Sequence, residues 1–293
     1  MDLRDRLLVQ VSARDVYDAV ALAGHPGSGL VFTGQAAHDA VRMVRRGGYD
    51  GPILADRRRY AGSARVRGTA RLSPDWIADQ VEAGATAPLT DSGYIGEGDH
   101  DSLHAILEQA VQWERVIAVL PVHARWVAED RAALVRTVTD YGVPVALVVE
   151  DGPPYRPLPL PLLSAGVTAL AALAHGAEWA AVGVREVLRH LYPEPHASRS
   201  EAMKRVRGGW RRGGARSAFV PERLEFVPVE WLGAGTCGCS TCHGRPLRRL
   251  AQAEELEVNT HNAKVLHRLH NRLLRATHRE RWWQELTEAA LTA

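Results

Sequence analysis

From residue 1 to about residue 192, short apolar runs alternate with stretches in which apolar residues recur every three or four positions. Eight runs read as strands: Leu8–Ser12, Leu30–Thr33, Pro52–Asp56, Ala87–Asp91, Val116–Leu120, Val145–Glu150, Val167–Leu170 and Trp179–Gly183. Near-continuous apolar character over so few residues marks strands covered on both faces. Between them, Gln35–Arg46, Pro74–Ala83, Ser102–Trp113 and Glu129–Tyr141 carry the period of an amphipathic helix. Pro157–Leu163 and the stretch around His175 carry little such periodicity. Eight buried strands separated by helices predict an α/β domain with a parallel sheet, closed as a (β/α)8 TIM-like barrel. An open doubly wound sheet is the alternative, but no Gly-x-Gly-x-x-Gly loop follows any strand.

The pattern changes after residue 198. Arg199–Arg216 holds seven basic residues and one acid, with two glycine pairs and Trp210 among them. Lys204, Arg205, Arg207, Arg211 and Arg212 can neutralise phosphates, and Trp210 can stack on an unpaired base. The segment reads as a nucleic-acid-binding arm, or otherwise as a solvated linker. Phe226–Trp231 is apolar and β-like, and Leu247–Leu291 reads as helices with basic and apolar faces. His267, His270 and His278 are expected on the solvated face, and Trp282-Trp283 as the anchor of the last helix. Three regions follow: a barrel over 1–198, a basic arm over 199–230, and a C-terminal helical lobe over 231–293.

Composition narrows the classes. The 293 residues suffice for one barrel-sized domain with an appendage. With 46% hydrophobic and 24% charged residues the chain is of ordinary globular type. A net charge of +2 argues against a generally polyanion-binding surface and leaves room for a local basic patch. No apolar run approaches the roughly 18 residues of a membrane span. The charged start Met-Asp-Leu-Arg-Asp-Arg lacks the apolar core of a signal peptide. A cytoplasmic protein is expected, in which thiols stay reduced and clustered cysteines serve metal binding.

All three cysteines fall in Cys237-Gly-Cys239-Ser-Thr-Cys242, and His261 follows nineteen residues later. Three thiolates within six residues can wrap one ion, and an imidazole completes a tetrahedral structural zinc site. His261 opens a helix-like run from Ala263 that would aim its ring back at the cysteine loop. His243 is the nearer rival, but a ligand adjacent to Cys242 strains the loop. A disulfide is the other use of such thiols, and Cys-x-Cys is too tight for ordinary bridge geometry.

The Cys-x-Cys-x-x-Cys spacing followed by His261-Asn262 resembles the zinc subdomain of tRNA-guanine transglycosylases, although this gap to the histidine is several residues shorter. The resemblance implies a TIM barrel that exchanges guanine for a 7-deazaguanine in tRNA, or in DNA for related enzymes. It also admits a homo- or hetero-dimer. Gly51-Pro-Ile-Leu-Ala-Asp56 looks like the stretch carrying the family's acid/base aspartate, but it continues Arg57-Arg-Arg-Tyr60 instead of Ser-Gly-Gly-Phe. Thr90-Asp-Ser-Gly93 holds the Asp-Ser-Gly fragment one strand later. Base exchange needs a nucleophile to hold the sugar and a second group to move protons at the base. Asp56, Asp91 and the Glu150-Asp151 pair stand where barrel chemistry is placed, at strand ends, and the resemblance favours Asp56 and Asp91. Trp179–Arg185 has no counterpart of the family's final-strand nucleophile. A non-catalytic nucleic-acid-binding or partner subunit of the same fold is therefore the second expectation, and a small-metabolite barrel enzyme the third.

Overall fold

The structure is a computed structural model and describes residues 2–62, 65–152, 155–193 and 216–292. Seven strands form one parallel sheet: β1 Arg6–Ser12, β2 Leu30–Thr33, β3 Ile53–Asp56, β4 Ala118–Val122, β5 Val145–Val149, β6 Leu162–Ala165 and β7 Trp179–Gly183. The order is β3-β2-β1-β7-β6-β5-β4, so the first and last strands of the series pair at the middle of the sheet. Helices α1 Val16–Leu22, α2 Ala37–Arg46, α3 Pro74–Ala83, α4 His100–Ala110, α5 Arg125–Ala128, α6 Arg131–Tyr141 and α7 Thr168–Ala174 lie between the strands in sequence.

The sheet is curled, and its side chains show how. Alternate strand residues point to opposite faces. Leu8, Val31, Leu54, Val119, Ala146, Val148, Leu163 and Ala181 join one buried cluster although β3 and β4 are the two ends of the sheet order. Their neighbours Leu7, Val9, Leu30, Ile53 and Leu120 belong to other clusters, shared with the helices.

Two expected strands come out differently. Val167–Leu170 lies mostly in α7, and the strand of this region is the preceding Leu162–Ala165, β6. Alanine is the best helix former, and Thr168–Ala174 is alanine-rich, so the apolar run coils. The true strand is masked in sequence by Pro157, Pro159 and Pro161, and a proline just before a strand removes no ladder bond it needs. Ala87–Asp91 forms only an isolated parallel bridge, Leu89 to Ile117. Pro88 has no N–H to give, and the Thr86 and Thr90 hydroxyls take the strand amides of Ile53 and Val119, each at 2.8 Å. The segment thus reaches β3 on one side and β4 on the other without a full ladder.

The C-terminal part begins within the expected 199–230 arm. Ser217–Val220 and Glu225–Pro228 (β8 and β9) form an antiparallel hairpin. Helix α8 runs Glu255–Arg275 and α9 runs Arg279–Leu291. Trp283 is buried, as an anchor of that last helix should be. His278 is exposed, but His267 and His270 are not on a solvated face. Helix α8 packs on α1, α7, β1 and β8, so both of its sides are covered and the histidines are enclosed. The His267 ring nitrogens meet the carbonyls of Ala263 at 2.7 Å and Leu7 at 3.1 Å. Burial brings both imidazoles down to about 4. Among the described residues no helix is long and apolar enough to cross a membrane.

Candidate active-site mouth and metal centre

The alternation that fills the sheet's concave side also places its polar groups. Gln10, Thr33, Asp56 and Glu150 each follow an interior apolar residue by two positions, so they stand on the same face at the carboxyl ends of their strands. There they meet. Gln10 Nε2 donates to Thr33 Oγ1 at 2.8 Å and Ser164 Oγ at 3.1 Å, and its Oε1 accepts the Ser164 N–H at 2.7 Å. Ser164 sits at a register shift in β6 with φ of 51°, a backbone conformation that side-chain-bearing residues rarely adopt. Such strain needs surrounding bonds to hold it, and Gln10 supplies them from across the sheet.

Asp56 is buried in this network. Its Oδ2 accepts from the Tyr60 hydroxyl at 2.6 Å, and its Oδ1 accepts the Arg58 N–H at 2.9 Å. Burial lifts its carboxyl above the usual range; the Tyr60 and Arg58 bonds oppose the rise without cancelling it. Tyr60 OH lies 3.5 Å from Ser164 Oγ. Asp91 has a different environment. Arg57 and Arg59 reach its Oδ2 at 2.9 and 2.6 Å, and the N–H of Ser73 reaches its Oδ1 at 2.9 Å. Ser73 caps α3, so Asp91 ties the β3–α3 loop to the rim. The two aspartates share no hydrogen bond and differ in kind: one sits in a neutral network, the other in an arginine clamp.

A cavity of about 560 Å³ opens beside the network, walled by Glu150, Asp151, Ser164, Arg189, His190 and Phe226. That volume is of the size that takes a small ligand. Glu150 accepts from the Tyr94 hydroxyl at 2.6 Å, with Arg65 at 3.7 Å and His123 at 3.5 Å. Asp151 pairs with His190 at 3.0 Å. Arg189 lies over the Phe226 ring at 3.8 Å and donates to Ser217 Oγ at 2.6 Å; burial lowers it to about 10, so it stays charged at neutral pH. Glu150 and Asp151 were legible as strand-end acids. Gln10, Ser164 and Tyr60 were not, because single polar residues inside apolar runs give no pattern until the strands are assembled.

Ser217 and Phe226 belong to the β8–β9 hairpin, so one cavity wall comes from the C-terminal part. Asn262 of α8 holds that hairpin, accepting the Phe219 N–H at 2.7 Å and donating to Ser217 O at 2.9 Å. Next to it, His261 faces the cysteines. Cys237, Cys239, Cys242 and His261 are all buried, and one ligand atom from each lies within 4.8 Å of the others. They are close enough to hold a metal ion. His261 Nε2 lies 3.0 Å from Phe219 O, a carbonyl that can only accept. That bond keeps the proton on Nε2 and leaves the Nδ1 lone pair facing Cys239 and Cys242 at 3.5 and 3.3 Å. Burial and the neighbouring sulfurs push the Cys242 thiol up to about 12, a penalty that a bound cation removes. The rival His243 is exposed, and its φ of 52° turns the chain away after Cys242. His261 does not open its helix: α8 starts at Glu255, six residues earlier.

The basic residues Lys204, Arg205, Arg207, Arg211 and Arg212, with Trp210, lie outside the described residues. No protein-family model and no curated protein matches the chain. One solved structure that it matches is that of the carboxyl transferase domain from Rhizobium etli pyruvate carboxylase, at 15% identity and a TM-score of 0.35. The match covers 97% of this chain and 49% of that one, so the chain spans about half its length. A likeness this low carries no argument about activity.

Proposed function

We propose that this chain is a base-exchanging transferase of the tRNA-guanine transglycosylase type, acting on a purine-type base of tRNA or DNA in the mouth cavity. The observation that carries the reading is the presence of two unlike carboxyls: Glu150 on the cavity wall, and Asp56, buried and kept toward its neutral form two hydrogen-bonded steps behind Ser164 by way of Tyr60. Two carboxyl groups in unlike surroundings divide such work between a nucleophile and an acid. In this reading Glu150 attacks the sugar's anomeric carbon as the bond to the outgoing base breaks. The leaving base takes its proton from Asp56, relayed through Tyr60 and Ser164. The incoming base returns a proton to Asp56 and displaces Glu150 from the sugar. Asp91 serves as a latch for the rim and not as a nucleophile.

Two finer points belong to the same proposal. The sheet is an eight-stave barrel, with Ala87–Asp91 as its fourth stave between β3 and β4; Leu89 joins the interior cluster together with residues of all seven strands. The ion is zinc and structural, because three thiolates and one imidazole suit zinc and four buried ligands leave no open position. The ion would brace α8 and the hairpin, and no chemical step passes through it.

Labelled guanine or 7-deazaguanine, offered with tRNA and then with DNA, tests the reading. Glu150→Gln and Asp56→Asn should abolish incorporation while nucleic-acid binding persists. Full exchange by both variants would refute the assignment. The second reading, a non-catalytic partner of the same fold, is favoured by one observation: β7, Trp179–Gly183, carries no acid. It gains if the wild-type protein binds nucleic acid and exchanges nothing.

A further inference from the structure

The stretch from Arg57 to Pro74 holds six arginines and no acid. It connects β3 to α3 at the carboxyl end of the sheet, beside the mouth. Four of its guanidinium groups have fixed duties. Arg57 and Arg59 clamp Asp91, Arg58 donates to Val187 O at 2.5 Å, and Arg65 lies over the Tyr94 ring at 4.3 Å near Glu150. These bonds, with buried Tyr60 and Leu72, hold the loop on the rim. Val66 and Gly68 bond to the backbone of Tyr94 at 2.7 and 2.8 Å, and Gly93 lies so close that a Cβ there would meet Arg67 O at 2.1 Å. The described part of the loop is a plate built onto the mouth.

Arg67 and Arg71 are the remainder. Both are exposed, and neither has a carboxylate partner among the described residues. Unpaired guanidinium groups on a fixed support beside a cavity are suited to phosphate, which they bind with little loss of side-chain freedom. We infer that the Arg67–Arg71 face of this plate grips the phosphodiester backbone of the nucleic acid whose base enters the mouth. The inference rests on the base-exchange reading for its substrate, and it is separate from the 199–216 segment.

The test is binding of a fluorescein-labelled RNA stem-loop, and of a DNA hairpin of matching sequence, by the full chain between 50 and 200 mM salt. Losing two phosphate contacts should make the Arg67→Gln/Arg71→Gln variant's affinity fall about twelvefold less across that range than the wild type's if the contacts are on the duplex stem, and about sevenfold less if they are on the single-stranded loop. Arg281→Gln, an exposed arginine on α9, should leave the salt dependence unchanged. Equal melting temperatures would show that the double variant is folded. An unchanged salt dependence in the folded double variant would overturn the inference, as would a wild-type protein that binds neither probe at 50 mM salt. Binding that follows the two arginines without any base exchange would support this inference while contradicting the enzymatic reading.

Discussion

One backbone carbonyl determines what His261 can do. Phe219 O holds the proton on Nε2, so Nδ1 meets the sulfurs as a lone pair. Cys239→Ser and His261→Gln should each reduce bound metal from one equivalent toward zero, read by metal analysis of the purified protein; one full equivalent in both would contradict the site. Titrating residues carry their own signature. The folded pKa of His267 and His270 is lowered to about 4, so their contribution to stability is present above the unfolded value near 6.5. It is lost as pH falls toward 4, by about 3 kcal/mol for each histidine. The urea midpoint should drop steadily from pH 7 to pH 4.5, and a flat profile would contradict the burial of these rings. Asp56 has the opposite sign. Its raised pKa means stability is full at low pH and is lost as pH rises through the folded value. Asp56→Asn removes that loss, so its melting temperature relative to wild type should be higher at pH 8 than at pH 4.

At the scale of elements, α8 carries the most duties. His261 faces the cysteines, Asn262 grips β8, and His267 reaches the start of β1. Asn262→Ala strands the Phe219 N–H and the Ser217 carbonyl, at a cost of about 2–4 kcal/mol in denaturant unfolding; a change within experimental error would show that the hairpin is held otherwise. Strands β1, β2, β3, β4, β5 and β7 were legible because each is a mainly apolar run, broken at most by one residue such as Gln10 in β1 or Pro121 in β4. Strand β6 was not, since prolines precede it and a longer alanine-rich run follows. The enclosed histidines were hidden for a related reason. Period 3.6 identifies one apolar stripe, and α8 is covered on more than one side, so polar letters on its second face look solvated. The cysteine loop needed no tertiary knowledge, because its ligands are neighbours in sequence. The roles of the aspartates did, because Arg57, Arg59 and Ser73 reach Asp91 only once the loop folds back.

Across the whole molecule, the cluster of three cysteines and His261 and the mouth are connected through one hairpin. The cysteine loop meets His261, His261 and Asn262 hold β8, and Ser217 of β8 holds Arg189 on the cavity wall. Metal removal by a chelator should therefore lower the melting temperature and weaken nucleic-acid or base binding together, and restoring zinc should recover both. Loss of stability with binding intact would separate the two regions. The most direct measurement remains base exchange by the metal-loaded chain. Labelled guanine should enter acid-insoluble tRNA or DNA with the wild-type protein and not with Glu150→Gln. Binding of nucleic acid without any incorporation by the wild type would contradict the account.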